Sequence, residues 1–189
     1  MRGKLVSCAL GLVCSAALIA GCGGSSSGGG SPDVNTAGDI PDNQAYVNYQ
    51  PPAGGFTIKV PEGWSRLDNG STVSFTDRLN RIEVTDVPGA SAPTIDSVTA
   101  TTVPMLRTHV PNFVMDKVSV ISRHAGDAVL LTYRGDSPAD PVTGKVGHDA
   151  FERYAFFRNG HEVDLTLSGP QTADNVDPWR TVSDSFTWQ

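Results

Sequence analysis

Apolar and polar residues alternate through much of the chain from Phe56 onward, with the period of a β-strand. Phe56, Ile58 and Val60 alternate with Thr57 and Lys59, and the run stops at Pro61-Glu62-Gly63. Val73 and Phe75 alternate next, then Ile82 and Val84 against Arg81, Glu83 and Thr85. Residues two apart share a face of a strand, so each run offers one apolar face and one polar face. The run DAVLLTYR places Val129, Leu131 and Tyr133 on one face. It is predicted to pair with FVMDKVSVIS across a turn near Ala125-Gly126-Asp127. Alternation of this kind suits an antiparallel sheet with one face in the core.

The clearest hairpin is YAFFRNGHEVDLTLSG. Asn159-Gly160 is the favoured pair for a two-residue type I′ turn. Such a turn sets Arg158 opposite His161, Phe156 opposite Val163 and Tyr154 opposite Leu165. Tyr154, Phe156, Val163, Leu165 and Leu167 then form the core face. The other face carries Phe151, Arg153, Ala155, Phe157, Glu162, Asp164 and Thr166. Aromatic and arginine residues are common anchors of recognition surfaces. Phe151, Arg153 and Phe157 are therefore the candidate partner-binding residues, unless a helix covers this face or a bulge shifts the register.

Two segments have helical spacing. In TIDSVTATTVPMLRTHV, Ile95, Val98, Thr102, Met105 and Leu106 recur at three to four residues, and Pro104 predicts a kink or break. In VDPWRTVSDSF, Asp177 is placed to cap, Pro178 suits the first helical position, and Trp179, Val182 and Phe186 share a face. The expected fold is α+β: a single antiparallel β-sheet with about two packed helices.

The N-terminus reads differently. Arg2 and Lys4 precede an apolar stretch from Leu5 to Ala20 that is short for a membrane-spanning helix. A charged start, a short apolar run and small residues at its end describe a secretory signal. Ile19-Ala20-Gly21-Cys22 resembles a lipobox, in which the cysteine becomes the acylated N-terminus. The expected organisation is a lipoprotein signal peptide over 1–21, lipidated Cys22 with a Gly/Ser-rich tether over 22–45, and a folded domain over 46–189. Of the three cysteines only Cys22 survives that cleavage, so no disulfide within the mature chain is expected. Two or more acyl chains anchor stably where one is marginal. The expected location is extracytoplasmic, on the cell membrane.

Charge narrows the partners. The chain has 14 basic and 20 acidic residues, and loss of Arg2 and Lys4 leaves 12 against 20, a net of −8. Nucleic acid is not an expected partner, because phosphate-backbone binding needs clustered cations. The membrane is expected to be reached through the N-terminal lipid, and the further partner is another envelope protein or a glycolipid.

Candidate chemistry is sparse. No G-x-S-x-G elbow occurs, and His109, His124, His148 and His161 form no zinc-type spacing. No catalytic, cofactor-binding or metal residues are assigned. Asp136, Asp140 and Asp149 lie in a Gly/Pro-rich stretch, but their spacing does not follow a twelve-residue calcium loop. The stretch reads as a long hairpin loop, the kind of element that often carries recognition.

The segments FTIKVPEGW and DPWRTVSDSFTW, with a helix and antiparallel strands between them, resemble the PsbP-like fold. In particular they are similar to its small actinobacterial cell-envelope lipoproteins of the LpqN type. The resemblance covers about 56–188 and implies that Pro61, Trp64, Trp179 and Phe186 are packing positions. It implies no catalytic set. The function expected is that of a non-catalytic binding or accessory module, with a lipid or glycolipid carrier and a hydrolase as alternatives.

Overall fold

The computed structural model describes residues 36–89, 91–139 and 143–189, all within one unit. The signal segment, Cys22 and the first part of the tether lie outside the described residues. Ten strands form two sheets rather than the single sheet expected. The smaller has order β1-β2-β10, from β1 (Tyr46–Tyr49), β2 (Phe56–Pro61) and β10 (Thr187–Trp188). The larger has order β3-β4-β5-β9-β8-β7-β6. Its strands are β3 (Ser65–Asn69), β4 (Thr72–Asp77), β5 (Asn80–Pro88), β6 (Val114–Arg123), β7 (Gly126–Asp136), β8 (His148–Arg158) and β9 (His161–Pro170).

The division has a local cause. The chain leaves β2 at Pro61 and turns through Gly63, whose φ of 84° is in the left-handed region that glycine tolerates. The strand β2 then pairs with β1 on one side and with the two-residue β10 on the other, so it never joins β3.

All strand pairs described are antiparallel. The 159–160 turn has the expected register: Arg158 opposite His161, Phe156 opposite Val163, Tyr154 opposite Leu165. Asn159 and Gly160 both have positive φ, as a type I′ turn requires.

The main core lies between the inner face of the large sheet, the small sheet and the C-terminal helix α3 (Val176–Asp184). Ile58 and Val60 meet Val84, Phe156, Leu165 and Leu167 there. Phe186, just past α3, is fully buried and stacks on Phe156 at 4.3 Å and on Phe56 at 5.3 Å. Trp179 is buried, and Trp64 is half-buried against the same core. Arg123 ties α3 to the sheet by donating to the hydroxyls of Ser183 and Tyr154.

A second core lies on the outer face of the large sheet. A helical segment, made of α1 (Ile95–Ser97), a π-helical turn (Val98–Thr102) and α2 (Val103–His109), covers it. Pro104 neither breaks nor ends this segment. The Val103 amide reaches back to the Val98 carbonyl, and this wider turn precedes the proline, which sits in the first turn of α2 where a missing N–H costs little. Val98 and Val103 pack on Val129, Leu131, Tyr133, Phe151 and Ala155. Such a helix is about 10 Å across, whereas seven strands at about 4.8 Å span roughly 30 Å. It therefore covers the β7–β8 side.

The helix α3 begins earlier than the Asp177 cap predicts, with Asn175 at its N-cap. The Asn175 side chain does not cap. It accepts from the Ile40 amide at 2.8 Å and donates to the Gly38 carbonyl and to Asn80 Oδ1, each at 3.0 Å. Residues 36–45, expected in the flexible tether, are thus fastened to the domain, and Ile40 is buried in the main core.

Candidate functional site

A cavity of about 480 Å³ opens at one end of the large sheet. Its lining comes from the β4–β5 turn, the β7–β8 loop at Ser137–Ala139 and Thr143–Gly147 with Asp149 at the start of β8, the end of β9 at Ser168 and Pro170 with Thr172 beyond it, and Ala37. The β4–β5 connection is a two-residue loop, Arg78-Leu79, closed by Asp77 opposite Asn80. Arg78 has φ of 50°, a left-handed conformation uncommon for a residue with a side chain. The loop is held from below. Asn80 is buried, donates to the Gly38 carbonyl at 2.8 Å and accepts from Asn175. Gly169 makes this possible, because a Cβ there would lie 2.3 Å from Asn80 Oδ1.

The charges in the cavity are unevenly partnered. Arg81 is paired with Glu83 at 2.6 Å. Arg78 and Lys145 have no ion-pair partner among the described residues. Asp149 lines the cavity, is only 4% exposed, and its carboxylate has no hydrogen-bond donor among the described residues. Burial pushes its carboxyl up to about 6; Asp136 adds to the rise and His148 opposes it. Leu79 and Val146, each about half exposed, stand beside the two free cations at the mouth. The arrangement offers cations at the rim, an acceptor on the wall and apolar flanks.

The residues predicted from the hairpin are placed differently. Phe151 is buried in the second core and stacks on Tyr133 at 4.5 Å. Arg153 is largely buried and forms an ion pair with Asp164. Burial pushes the Asp164 carboxyl upward, Arg153 pulls against it, and Glu162 adds to the rise. Phe157 is part-exposed on that face, as are Glu162 and Thr166. The three therefore do not form an exposed patch: the helical segment covers Phe151, and Arg153 spends its charge inside the sheet.

The candidate calcium carboxylates are also dispersed in role. Asp136 accepts from His148 Nδ1 and from Asn112 Nδ2, both at 2.7 Å, and Asp149 faces the cavity. Asp140 lies outside the described residues, among which no group of three potential ligands gathers. His148 and Asp136 resemble a base and its orienting carboxylate. The nearby Ser137 hydroxyl accepts from the Gly147 amide at 2.9 Å, and no hydrogen bond joins it to His148.

A lipid carrier would need an apolar pocket between sheet and helix; between the large sheet and the α1–α2 segment, Leu131, Tyr133 and Phe151 are packed in the second core. No helix among the described residues is long and apolar enough to cross a membrane.

No protein-family model matches the sequence, and no curated protein matches it. Solved structures do. The cyanobacterial PsbP protein CyanoP of Synechocystis is similar over 82% of this chain and 99% of its own, at 17% identity and a TM-score of 0.56. A protein of Bacteroides thetaiotaomicron is similar over 75% of this chain at 9% identity and a TM-score of 0.53. The chain spans about half of that protein, 48% of its length. LpqN of Mycobacterium tuberculosis, described as involved in cell envelope biogenesis, is similar over 78% of this chain and 92% of its own, at 14% identity and a TM-score of 0.46. The layered α+β arrangement and its likeness to CyanoP along that protein's whole length make the fold of this chain PsbP-like.

Proposed function

We propose that the chain is a non-catalytic binding or accessory module of the cell envelope, held on the membrane by acylated Cys22. Its ligand or partner engages the cavity at the β4–β5 end of the domain. The observation that carries this reading is the lining of the cavity: among the described residues, Arg78 and Lys145 have no ion-pair partner and the Asp149 carboxylate has no hydrogen-bond donor. Burial raises the Asp149 carboxyl, and a ligand that donates to it would offset that cost. The anchor is supported by the lipobox and by the absence of any other use for a lone cysteine in the mature chain.

A photo-crosslinking residue in place of Val146, at the cavity mouth, tests the reading in intact cells. A discrete adduct is expected, and it is expected to disappear in the Arg78→Glu/Lys145→Glu background. An adduct obtained equally from Val120, on the exposed edge strand β6, or one indifferent to the charge reversal, would refute it.

A further inference from the structure

We propose that the cavity at the β4–β5 end binds a polyol phosphate, with Arg78 and Lys145 taking the phosphate and Asp149 accepting from a pair of hydroxyls. This rests on the reading of that cavity as the binding site and names the chemistry it selects.

Three observations define the ligand. The first is the number of free cations. A carboxylate is satisfied by one guanidinium through two parallel hydrogen bonds, whereas a phosphate monoester carries nearly two charges and three acceptor oxygens. Arg81 is spent on Glu83, which leaves Arg78 from the β4–β5 turn and Lys145 from the β7–β8 loop as the lining cations without an ion-pair partner among the described residues. Two cations without ion-pair partners among the described residues, on a chain with net charge −6, match one phosphate better than one carboxylate.

The second is Asp149. An anion-binding site lined only by cations would not place a carboxylate on its wall, where it repels the ligand. An ionised carboxylate only accepts, and its two oxygens suit two donors side by side. A vicinal diol supplies them.

The third is the shape of the mouth. Leu79 and Val146 are apolar, half-exposed and adjacent to the two cations. The cavity volume of about 480 Å³ lies within the range of small-ligand sites and exceeds what glycerol phosphate alone needs. The remaining room and the apolar flanks suit either a free polyol phosphate or the headgroup of a lipid whose chains leave past Leu79 and Val146.

The test is titration calorimetry on the full chain in non-ionic detergent at pH 7.5. The probes are glycerol 3-phosphate, inorganic phosphate and the short-chain lipid dihexanoyl phosphatidylglycerol. Glycerol 3-phosphate is expected to bind one to one, and about ten-fold more tightly than inorganic phosphate. Arg78→Ala/Lys145→Ala is expected to weaken it by about ten-fold or more, and Asp149→Asn to remove its advantage over inorganic phosphate. Thermal melts confirm that each variant is folded. Tighter binding of the lipid than of glycerol 3-phosphate identifies a headgroup as the source; the reverse order identifies a soluble ligand. Equal binding of inorganic phosphate and glycerol 3-phosphate overturns the role of Asp149. No binding of any probe, or binding unaffected by the double variant, overturns the proposal. A Val146 adduct that persists in cells alongside such a result would leave the cavity as a binding site for a different ligand.

Discussion

Replacing Asp149 with asparagine should make the domain more stable at neutral pH. The side chain is buried on the cavity wall, without a hydrogen-bond donor among the described residues, and its carboxyl is pushed from 3.8 to about 6. The folded state therefore holds its proton to higher pH than the unfolded chain does. Between about pH 4 and 6 the folded state binds more protons, so stability falls as pH rises through that window and stays lower above it. Linkage converts the difference into about 2–3 kcal/mol. The amide introduced by Asp149→Asn does not titrate, so the variant should lack this loss.

Asp136 and His148 flank Asp149, and Lys145 and Arg81 share its cavity. Their own titrations are common to both proteins and cancel in a double difference. Urea denaturation of both proteins at pH 4 and pH 7.5 provides it. The variant should gain about 2–3 kcal/mol on the wild type between the two conditions, equivalent to roughly 5–10 °C in Tm for a domain of this size. Parallel pH profiles, within about 0.5 kcal/mol, would show that Asp149 is solvated or partnered and that its burial exacts no cost.

Three other outcomes are expected. Asn175→Ala removes the acceptor for Ile40 and the donor to Gly38 and Asn80, and should cost about 2–4 kcal/mol in urea denaturation; proteolysis should then cut first within 36–45, and an unchanged midpoint would show that the clamp is dispensable. Phe151→Ala should cost about 3–5 kcal/mol, because the ring is enclosed beneath the helical segment, whereas a loss under about 1 kcal/mol would return it to the surface. Cys22→Ala should shift the protein from the membrane fraction to the soluble fraction or leave it as an uncut precursor; a variant that stays membrane-bound and processed like wild type would show that the anchor is elsewhere.

Strands are legible where one face is buried and the other wet, because alternation then writes the pleat into the sequence. This holds for Phe56–Val60, for Ile82–Val84 and for the hairpin at Asn159-Gly160, whose turn chemistry also sets the register. The second sheet is not legible. It depends on Trp188 reaching Phe56, and nothing local to either residue encodes that pairing. Alternation also states which residues share a face but not what lies over it, so Phe151 looks exposed in the sequence although Val98 and Val103 cover it. Pro104 reads as a break because the rule assumes an α-helical ladder, and the π-helical turn avoids that conflict. Asn175 stands unremarked beside Asp177, since a cap is a local signal and a clamp on Gly38 is not.

The cavity illustrates the same limit. Arg78, Lys145 and Asp149 come from a turn, a loop and a strand start, and none has a partner nearby in sequence to mark it. One signal is available: Asp77-Arg78-Leu79-Asn80 joins two alternating runs through a two-residue turn that lacks glycine. A left-handed non-glycine residue at a hairpin tip stores strain, and such strain clusters at functional sites. The described parts of the 135–149 stretch, which has the composition of a recognition loop, line the cavity through Ser137–Ala139, Thr143, Lys145–Gly147 and Asp149.

Hydrogen exchange on the protein in its native membranes, compared with the purified full chain in detergent, tests most directly whether the molecule binds through this cavity. The account predicts slowed exchange in membranes at 76–81 and 143–149, and loss of that difference in the Arg78→Glu/Lys145→Glu variant. Identical exchange in both settings, or protection confined to Phe157 or to the β6 edge, would contradict it.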